Sequence, residues 1–440
     1  MVCLVSFFYH GNVVVVDLFF LNIIMVIIWF VHQKEFLLSA HFYFVAVCTL
    51  YFTLKLIELV FVNGYSDALS DSIRIVILFS CAYLVGSICK IKNDFSKYDV
   101  IIVNKKYFYI VVLFGMLLNF FASIALNHIF VSEGANYLDR IGSTQNNGVT
   151  YFFRLSNFFA SGNLIFLIYS GGAMRFQLKY YRMFFLFLLF YWVLVNVSRS
   201  GIINLGLMLL YIRIYFQEKK ISFTGLLSIF ILFIFIVSFF GIIRNFDDFN
   251  LQNINIVLEM FFDEPAGIFY FFMNRLDLLP MVEKSLAMVD EGYISLTYGM
   301  SYIYTFLHAI PRNLWEAKPL LTSALVTSKV YPNLYLDGVS IYPTIMVEGY
   351  MNLKYAGVVF SGFLTGILSS WFNIFHLRKN IFNTLIYFSF FAFPMGLLNE
   401  GFHSNYFSGV LMGIPMLFFY IKMLSLFKIA KIVNIKYHHA

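Results

Sequence analysis

One short polar stretch, Ala309–Pro319, combines residue types that can bind an anion. Arg312 and Lys318 flank Trp315, and two prolines restrict the backbone around them. A guanidinium group binds two phosphate oxygens at once, and an ammonium group adds a second positive charge. The stretch therefore predicts an anion site, and a cluster of such cations on the outer side of a membrane would fit a lipid-linked diphosphate or an anionic saccharide.

Further cations lie in connections that we assign below to the same side of a membrane, namely Arg140, Arg154, Arg199, Arg244 and Arg275. Arg199 is the most informative, because it lies in a turn, Ser198–Gly201, between two apolar runs. A charge in that position is costly and usually functional. Each of these cations can instead extend to lipid headgroups or pair with a nearby acid, and the sequence leaves both interpretations open.

Three residues are candidates for the general base that would deprotonate an attacking hydroxyl. Glu348 ends the polar part of the chain before a late apolar run, and Glu400 and His403 share the turn Asn399–Asn405. Glu and His near a membrane surface can be tuned for proton transfer. His308, just before Arg312, is a weaker candidate. For each of them the alternative is an ordinary hydrogen bond at the membrane interface.

No metal or other cofactor is expected. The acidic residues that come closest to a metal site, Asp67, Asp71, Asp247 and Asp248, lack convincing ligand spacing. The four cysteines have no CxxC spacing and are expected to be packing thiols.

The composition is that of a chain solvated by lipid. Of its 440 residues 61% are hydrophobic and 12% charged, and the mean hydropathy is +0.80. A soluble protein carries roughly 25% charged residues. Nothing in the sequence indicates nucleic-acid binding, and the net charge of +7 is a feature of membrane topology.

Apolar runs predict eleven membrane-spanning helices. They lie at 13–31, 38–62, 73–89, 107–127, 151–170, 183–197, 201–216, 222–243, 355–375, 381–398 and 406–424. Gly362 and Gly366 form a small-xxx-small face in the ninth span, which predicts close helix packing. The chain is thus predicted to be an all-α polytopic membrane protein. Eight spans lie in residues 1–243 and three in residues 355–440, and one large loop, 244–354, connects the two sets.

Charge asymmetry predicts the orientation. One set of connections, which includes the C-terminal tail, holds 18 of the 30 cations but only four acids, and the positive-inside rule makes this set cytoplasmic. The large loop then lies outside. Its apolar stretch Thr297–Ile310 is too short to span a bilayer but suits a helix lying at the interface.

Three motifs together resemble the Wzy-type O-antigen polymerases, also called oligosaccharide repeat unit polymerases. They are Val197–Ile202 at a span junction, Ile310–Pro319 in the large loop, and Glu348–Asn352 before a glycine-rich span. The number of spans and the single dominant loop agree along nearly the whole chain. One departure is Glu316-Ala317, where many relatives carry proline.

The resemblance implies a GT-C-type glycosyltransferase of the bacterial inner membrane that needs no metal. It would move a growing glycan from undecaprenyl diphosphate to a lipid-linked repeat unit at the periplasmic face. Diphosphate binding would fall to Arg140, Arg199, Arg244, Arg312 and Lys318, and base catalysis to Glu348, Glu400 or His403. A polysaccharide chain-length regulator is implied as a partner.

Two alternatives remain at this stage. An O-antigen ligase shares the layout but uses a lipid A core as acceptor. A flippase for lipid-linked oligosaccharides is less compatible, because transporters are usually built of near-equal repeats with charges inside the spans. This sequence has no such repeat and places its polar residues in one loop.

Overall fold

A computed structural model of the chain describes most of residues 2–103, much of the large loop and parts of the C-terminal region. The described residues are 2–33, 39–57, 67–89, 98–103, 210, 224–225, 228, 231–232, 234–235, 238–239, 255–257, 259, 263, 278–307, 310, 315, 317–336, 341–377, 387, 393–404, 422, 426 and 430–435. The chain forms two compact units. One comprises Met1–Ser170 and Leu278–Ala440, and the other comprises Gly171–Asp277.

Long apolar helices dominate the first unit. They are α1 (Val2–Val31), α2 (Ala40–Val47) with a π-helical continuation (Cys48–Leu54), α3 (Asp67–Ile88) and α8 (Thr344–Leu377). Three stretches in the described part are long and apolar enough to cross a membrane, Ala40–Ile57, Leu69–Ile88 and Thr344–Phe375, and α1 adds the shorter Val16–Val31. The protein is therefore a helical membrane protein.

These helices coincide with four of the predicted spans, 13–31, 38–62, 73–89 and 355–375. Part of a fifth, 381–398, is covered by α9 (Phe393–Glu400). The spans predicted at 107–127, 151–170, 183–197, 201–216 and 406–424 lie outside the described residues, apart from single helical positions at 210 and 422. The total of eleven spans stays a prediction.

Glycines bring α3 and α8 into backbone contact. A Cβ atom on Gly362 would lie 2.5 Å from the carbonyl oxygen of Phe79, and one on Gly366 would collide with the carbonyl oxygen of Tyr83. From the other side, a Cβ on Gly86 would collide with the backbone of Phe363. Small residues allow this close approach between membrane helices. The close packing predicted for Gly362 and Gly366 is confirmed.

Histidine and aromatic rings pack between the first three helices. His32, after the end of α1, stacks on His41 of α2 with ring centroids 3.6 Å apart. The Nδ1 atom of His41 lies 2.9 Å from the hydroxyl of Tyr83, whose ring stacks on Phe44 at 3.6 Å. Tyr83 therefore joins α2 to the same part of α3 that faces α8.

The chain reverses within α8. Leu353 and Lys354 have non-helical dihedral angles, with φ at 51° for Lys354. A Cβ atom on Gly349 would lie 2.7 Å from the carbonyl oxygen of Gly357, although eight residues of continuous helix would separate them by roughly 12 Å. Residues 344–352 (α8a) therefore fold back onto residues 355–377 (α8b). An ion pair from Lys354 to Asp290, 3.2 Å long, ties the reversal to a helix of the large loop.

The large loop is ordered and helical where it is described. It contains α4 (Leu278–Asp290), α5 (Met300–Leu307), α6 (Thr322–Val330) and α7 (Pro332–Leu336). In α4 the buried residues Leu279, Val282, Leu286 and Val289 recur at helical spacing, so one apolar face packs inward. The last part of the predicted loop 244–354 is α8a, which lies against the span helix α8b.

One short sheet accompanies the helices among the described residues. Strand β1 (Tyr98–Val103) pairs antiparallel with β2 (Ala430–Ile435), with Tyr98 opposite Ile435. The all-helical prediction did not include this sheet. Two strands can pair only on one side of a membrane, which agrees with the assignment of both segments to the same set of connections.

The described residues of the second unit are helical and belong mainly to the predicted span 222–243. The Ser228 hydroxyl donates to the carbonyl oxygen of Thr224 at 2.9 Å, and Phe235 stacks on Phe239 at 5.8 Å. Both contacts join residues four apart, as one turn of helix requires.

We expect Gly366→Ala to lower the melting temperature of the detergent-solubilised protein. Alanine favours a helix over glycine by ~1 kcal/mol, but its methyl group would collide with the Tyr83 carbonyl, and overpacking costs about 1–3 kcal/mol. Val359→Ala, at an exposed position of the same helix, is the matched control and should leave the melting temperature unchanged. Equal melting temperatures for both variants would contradict the glycine contact.

Candidate functional site

A buried carboxylate joins three distant segments of the first unit. Glu348, on α8a, is 0% exposed. It accepts a hydrogen bond from the hydroxyl of Ser301 at 2.7 Å, from the backbone N–H of Phe402 at 2.5 Å, and from the backbone N–H of His403 at 3.1 and 3.3 Å. The segments around Ser301, Glu348 and His403 therefore meet at one point.

The end of α9 explains why two N–H groups face Glu348. Gly401 has a φ of 79°, and its N–H donates to the carbonyl oxygen of Leu397 at 2.9 Å. This is the left-handed conformation that commonly ends a helix, and glycine adopts it without strain. A Cβ atom at Gly401 would also collide with Oε2 of Glu348. Glycine here both stops α9 and admits the carboxylate.

Asn352 adds a second row of bonds one turn after Glu348. Its side-chain amide donates to the Ser301 hydroxyl at 2.7 Å and to the Glu348 carbonyl oxygen at 2.8 Å. Its Oδ1 atom accepts from the N–H of Gly299 at 2.9 Å and from the Thr297 hydroxyl at 2.7 Å. All four hydrogen-bonding positions of the amide are thus used, and the start of α5 is fixed to α8a.

His403 begins a row of aromatic rings. Its imidazole is buried, with Nδ1 3.4 Å from the hydroxyl of Thr322 on α6. The Tyr304 ring lies 5.9 Å from the His403 ring and 6.1 Å from the Trp315 ring. Lys318 lies three residues after Trp315, and its ammonium group donates to the carbonyl oxygen of Ile310 at 2.9 Å. The rings connect His403 with the described part of the Ala309–Pro319 stretch.

Tyr302 lines the same cluster on the side of α8b. Its hydroxyl lies 2.6 Å from the hydroxyl of Ser361, and its ring contacts Phe402 at 5.7 Å. Burial raises the pKa of Tyr302 to about 12, and the nearby Glu348 charge adds to the rise although the hydrogen bond from Ser361 opposes it. The phenol therefore keeps its proton at every physiological pH.

The structure brings together two of the predicted base candidates, Glu348 and His403. Glu400 is the last residue of α9, one position before Gly401, and its side chain lies outside what the structure describes. Lys318 is bonded to the backbone of Ile310 and Trp315, and the Trp315 ring is linked to that of His403 by Tyr304. The remaining predicted residues, Arg140, Arg199, Arg244, Arg312 and His308, lie outside the described residues, so their roles stay predictions.

Three residues of the cluster were not predicted as site residues: Ser301, Tyr302 and Asn352. One signal for Asn352 was available, because residues four apart share a helix face and Glu348 and Asn352 have that spacing. Within the described ranges no group of three His, Cys, Asp or Glu side chains is placed to hold a metal ion. The expectation that the site works without a metal stays a prediction.

The hydrogen bonds of Glu348 decide what it can do. Oε1 accepts from Ser301 and from the N–H of His403, and Oε2 accepts from the N–H groups of Phe402 and His403. The N–H of His403 is shared between the two oxygens, so three donors face the roughly four acceptor positions of the carboxylate. Burial raises the pKa of the Glu348 carboxyl group to about 7, although the hydrogen bonds from Ser301 and from the N–H groups of His403 and Phe402 oppose the rise. Glu348 therefore positions the 401–404 segment and can also change its protonation state near neutral pH, while the role of His403 as a base stays a prediction.

We expect Glu348→Ala to destabilise the protein strongly and Glu348→Gln to retain most of its melting temperature. Alanine leaves two N–H groups and one hydroxyl buried without their acceptor, at about 1–3 kcal/mol each. Glutamine can still accept from both N–H groups and donate to Ser301. Glu291→Ala, at an exposed position, is the control, and thermal unfolding in detergent is the measurement. Similar losses for alanine and glutamine would show that the negative charge itself is required.

Comparison of the chain with the profiles of known protein families finds no match, and comparisons with curated proteins and with solved structures find none either.

Proposed function

We propose that the protein polymerises oligosaccharide repeat units carried on undecaprenyl diphosphate at the periplasmic face of a bacterial inner membrane, as in O-antigen or capsule synthesis. One observation supports this above the others. Glu348 and His403 are 55 residues apart in the chain but are hydrogen-bonded, and the Tyr304 and Trp315 rings lead from them towards Lys318. A proton acceptor, aromatic rings and a cationic segment are the groups that such a transfer needs.

The proposed reaction moves a glycan between two lipid carriers. The bond between the anomeric carbon of the donor glycan and the undecaprenyl diphosphate breaks, and a hydroxyl of the acceptor's terminal sugar forms the new glycosidic bond. His403 takes the hydroxyl proton, with Glu400 as the alternative base. Glu348 holds the 401–404 segment in place. The leaving diphosphate keeps the bonding electrons and gains negative charge.

Cations stabilise that developing charge in this proposal. Preorganised positive groups aimed at a leaving group lower the barrier by several kcal/mol, about as much as a metal ion would. We assign this role to Arg140, Arg199, Arg244, Arg312 and Lys318. No metal or cofactor is needed in this scheme.

The aromatic row suits a saccharide acceptor or donor. Tyr304 and Trp315 are both half-buried, and each has an apolar ring face with a polar edge. A sugar has the matching combination of C–H faces and hydroxyl edges. The site also adjoins the end of the span helix α8b, where a lipid-linked substrate can be reached from the bilayer. Nucleotide sugars are cytoplasmic, so a donor on the outer face would be lipid-linked.

We expect the purified protein in proteoliposomes to lengthen lipid-linked repeat units into glycan ladders without any other enzyme. His403→Ala should reduce lengthening by about 100-fold or more, because loss of a general base typically costs 10²–10⁴ in rate. Monodisperse elution of the variant shows that the fold is intact. Ladders of normal length from a well-folded His403→Ala protein would remove His403 from the mechanism.

We expect Lys318→Ala and Arg312→Ala to shorten the glycan chains, while Lys329→Ala, an exposed lysine on α6, leaves them normal. Electrophoresis of glycans from cells that carry each variant gives the measurement.

In a deletion strain, a lipid core that bears a single repeat unit supports the polymerase, whereas a bare core indicates a ligase. Transport of the repeat unit without any lengthening in proteoliposomes would indicate a flippase.

A further inference from the structure

The short helix α5 has its polar and apolar faces in the reverse of the usual arrangement. Ser301 and Thr305 are buried, at 5% and 2% exposure, while Ile303 and Phe306 are 52% and 68% exposed. The buried face is hydrogen-bonded, because Ser301 donates to Glu348 and Thr305 donates to the Ser301 carbonyl oxygen at 2.9 Å. In water the opposite arrangement is favoured, since a helix normally buries its apolar stripe.

The exposed face is apolar along the whole helix. Met300 and Leu307 are exposed next to Ile303 and Phe306, and the sequence of α5 contains no charged residue. Contiguous apolar surface of this kind marks a contact with another protein or with a membrane. The helix has eight residues, or roughly 12 Å, and is too short to cross a bilayer.

The position of α5 beside α8b identifies the contact. The Tyr302 ring lies 5.6 Å from the ring of Phe360, which is itself exposed on the span helix, as is its neighbour Val359. The apolar face of α5 therefore continues the exposed apolar surface of α8b.

The contact between Tyr302 and Phe360 lies near the end of α8b that we assign to the membrane boundary. Phe360 lies 17 residues before Leu377, the last residue of the helix, which is roughly 26 Å along the helix axis. The hydrocarbon core of a bilayer is about 30 Å thick. Arg378 and Lys379 follow Leu377, which assigns that end of α8b to the cytoplasmic edge of the hydrocarbon core. The length of the helix then puts Tyr302 and α5 level with the opposite edge.

We propose that α5 lies in the outer boundary of the membrane, with Met300, Ile303, Phe306 and Leu307 among lipid acyl chains and its polar face against Glu348. The helix is then a wall between lipid and the polar cluster of Glu348, Ser301 and Asn352. The occupant of the apolar face is lipid hydrocarbon. This inference uses no part of the proposed glycan chemistry.

Spin labels test the orientation directly. Ile303→Cys and Phe306→Cys are made in a variant whose own cysteines are replaced, labelled with a nitroxide and reconstituted into vesicles of phosphatidylethanolamine and phosphatidylglycerol. Collision with oxygen, which concentrates in hydrocarbon, is compared with collision with a water-soluble nickel chelate. Phe360→Cys is the lipid reference, and Glu291→Cys, at an exposed position after α4, is the aqueous reference.

We expect both α5 labels to collide with oxygen several times more often than with nickel, as at Phe360, and the Glu291 label to show the reverse. Nickel-dominated collisions at both α5 positions would overturn the proposal. Low collision rates with both reagents would mean that protein covers the face, and spin–spin broadening would mean that a second copy does. Either result would also overturn it.

Discussion

The described site depends on one buried carboxyl group, that of Glu348, and the hydrogen-bond donors that surround it. Moving a carboxylate out of water is expensive unless hydrogen bonds replace the lost hydration. For Glu348 the replacements come from a hydroxyl on α5 and from two backbone N–H groups after α9. If any of the three segments shifted, the carboxylate would lose one of its hydrogen-bond donors. A single side chain thereby fixes the relative positions of α5, α8a and the 401–404 segment.

The close approach of α8a to α8b is the second constraint, because it allows Glu348 to reach its donors. Glu348 can reach the 401–404 segment because α8a folds back along α8b, and this packing needs Gly349 and Gly357, where added side chains would collide with the opposite backbone. On the far side of α8b, Gly362 and Gly366 make the same kind of contact with α3. The span helix thus has small residues facing two neighbours, α8a and α3.

Hydropathy was sufficient to predict the long apolar helices of the described part of the chain, because lipid requires about 20 consecutive apolar residues. It even placed the start of the ninth span at 355, directly after the reversal. It could not show that 344–352 folds back, since Leu353 and Lys354 are not residues that mark a turn. The same holds for the sheet between β1 and β2, which pairs two short segments more than 300 residues apart in the sequence.

Residue type selected Glu348 and His403 as candidates for proton transfer, but it could not distinguish their roles. Only the fold shows that Glu348 is buried among three donors, two of which are backbone N–H groups that any residue except proline could supply. Ser301, Tyr302 and Asn352 were missed for a related reason. Serine, tyrosine and asparagine are common in loops, and only the fold shows that these three are buried and bonded to one another.

The faces of α5 connect the polar site to its surroundings. Ser301, on the inner face, donates to the Glu348 carboxylate, and Phe306, on the outer face, is one and a half turns away on the same helix. If α5 were drawn towards water, the Ser301 hydroxyl would move with it and Oε1 of Glu348 would lose a donor in a region where water cannot readily replace it. The hydrogen bond from Ser301 to Glu348 therefore both anchors α5 and favours the ionised form of the buried carboxyl group.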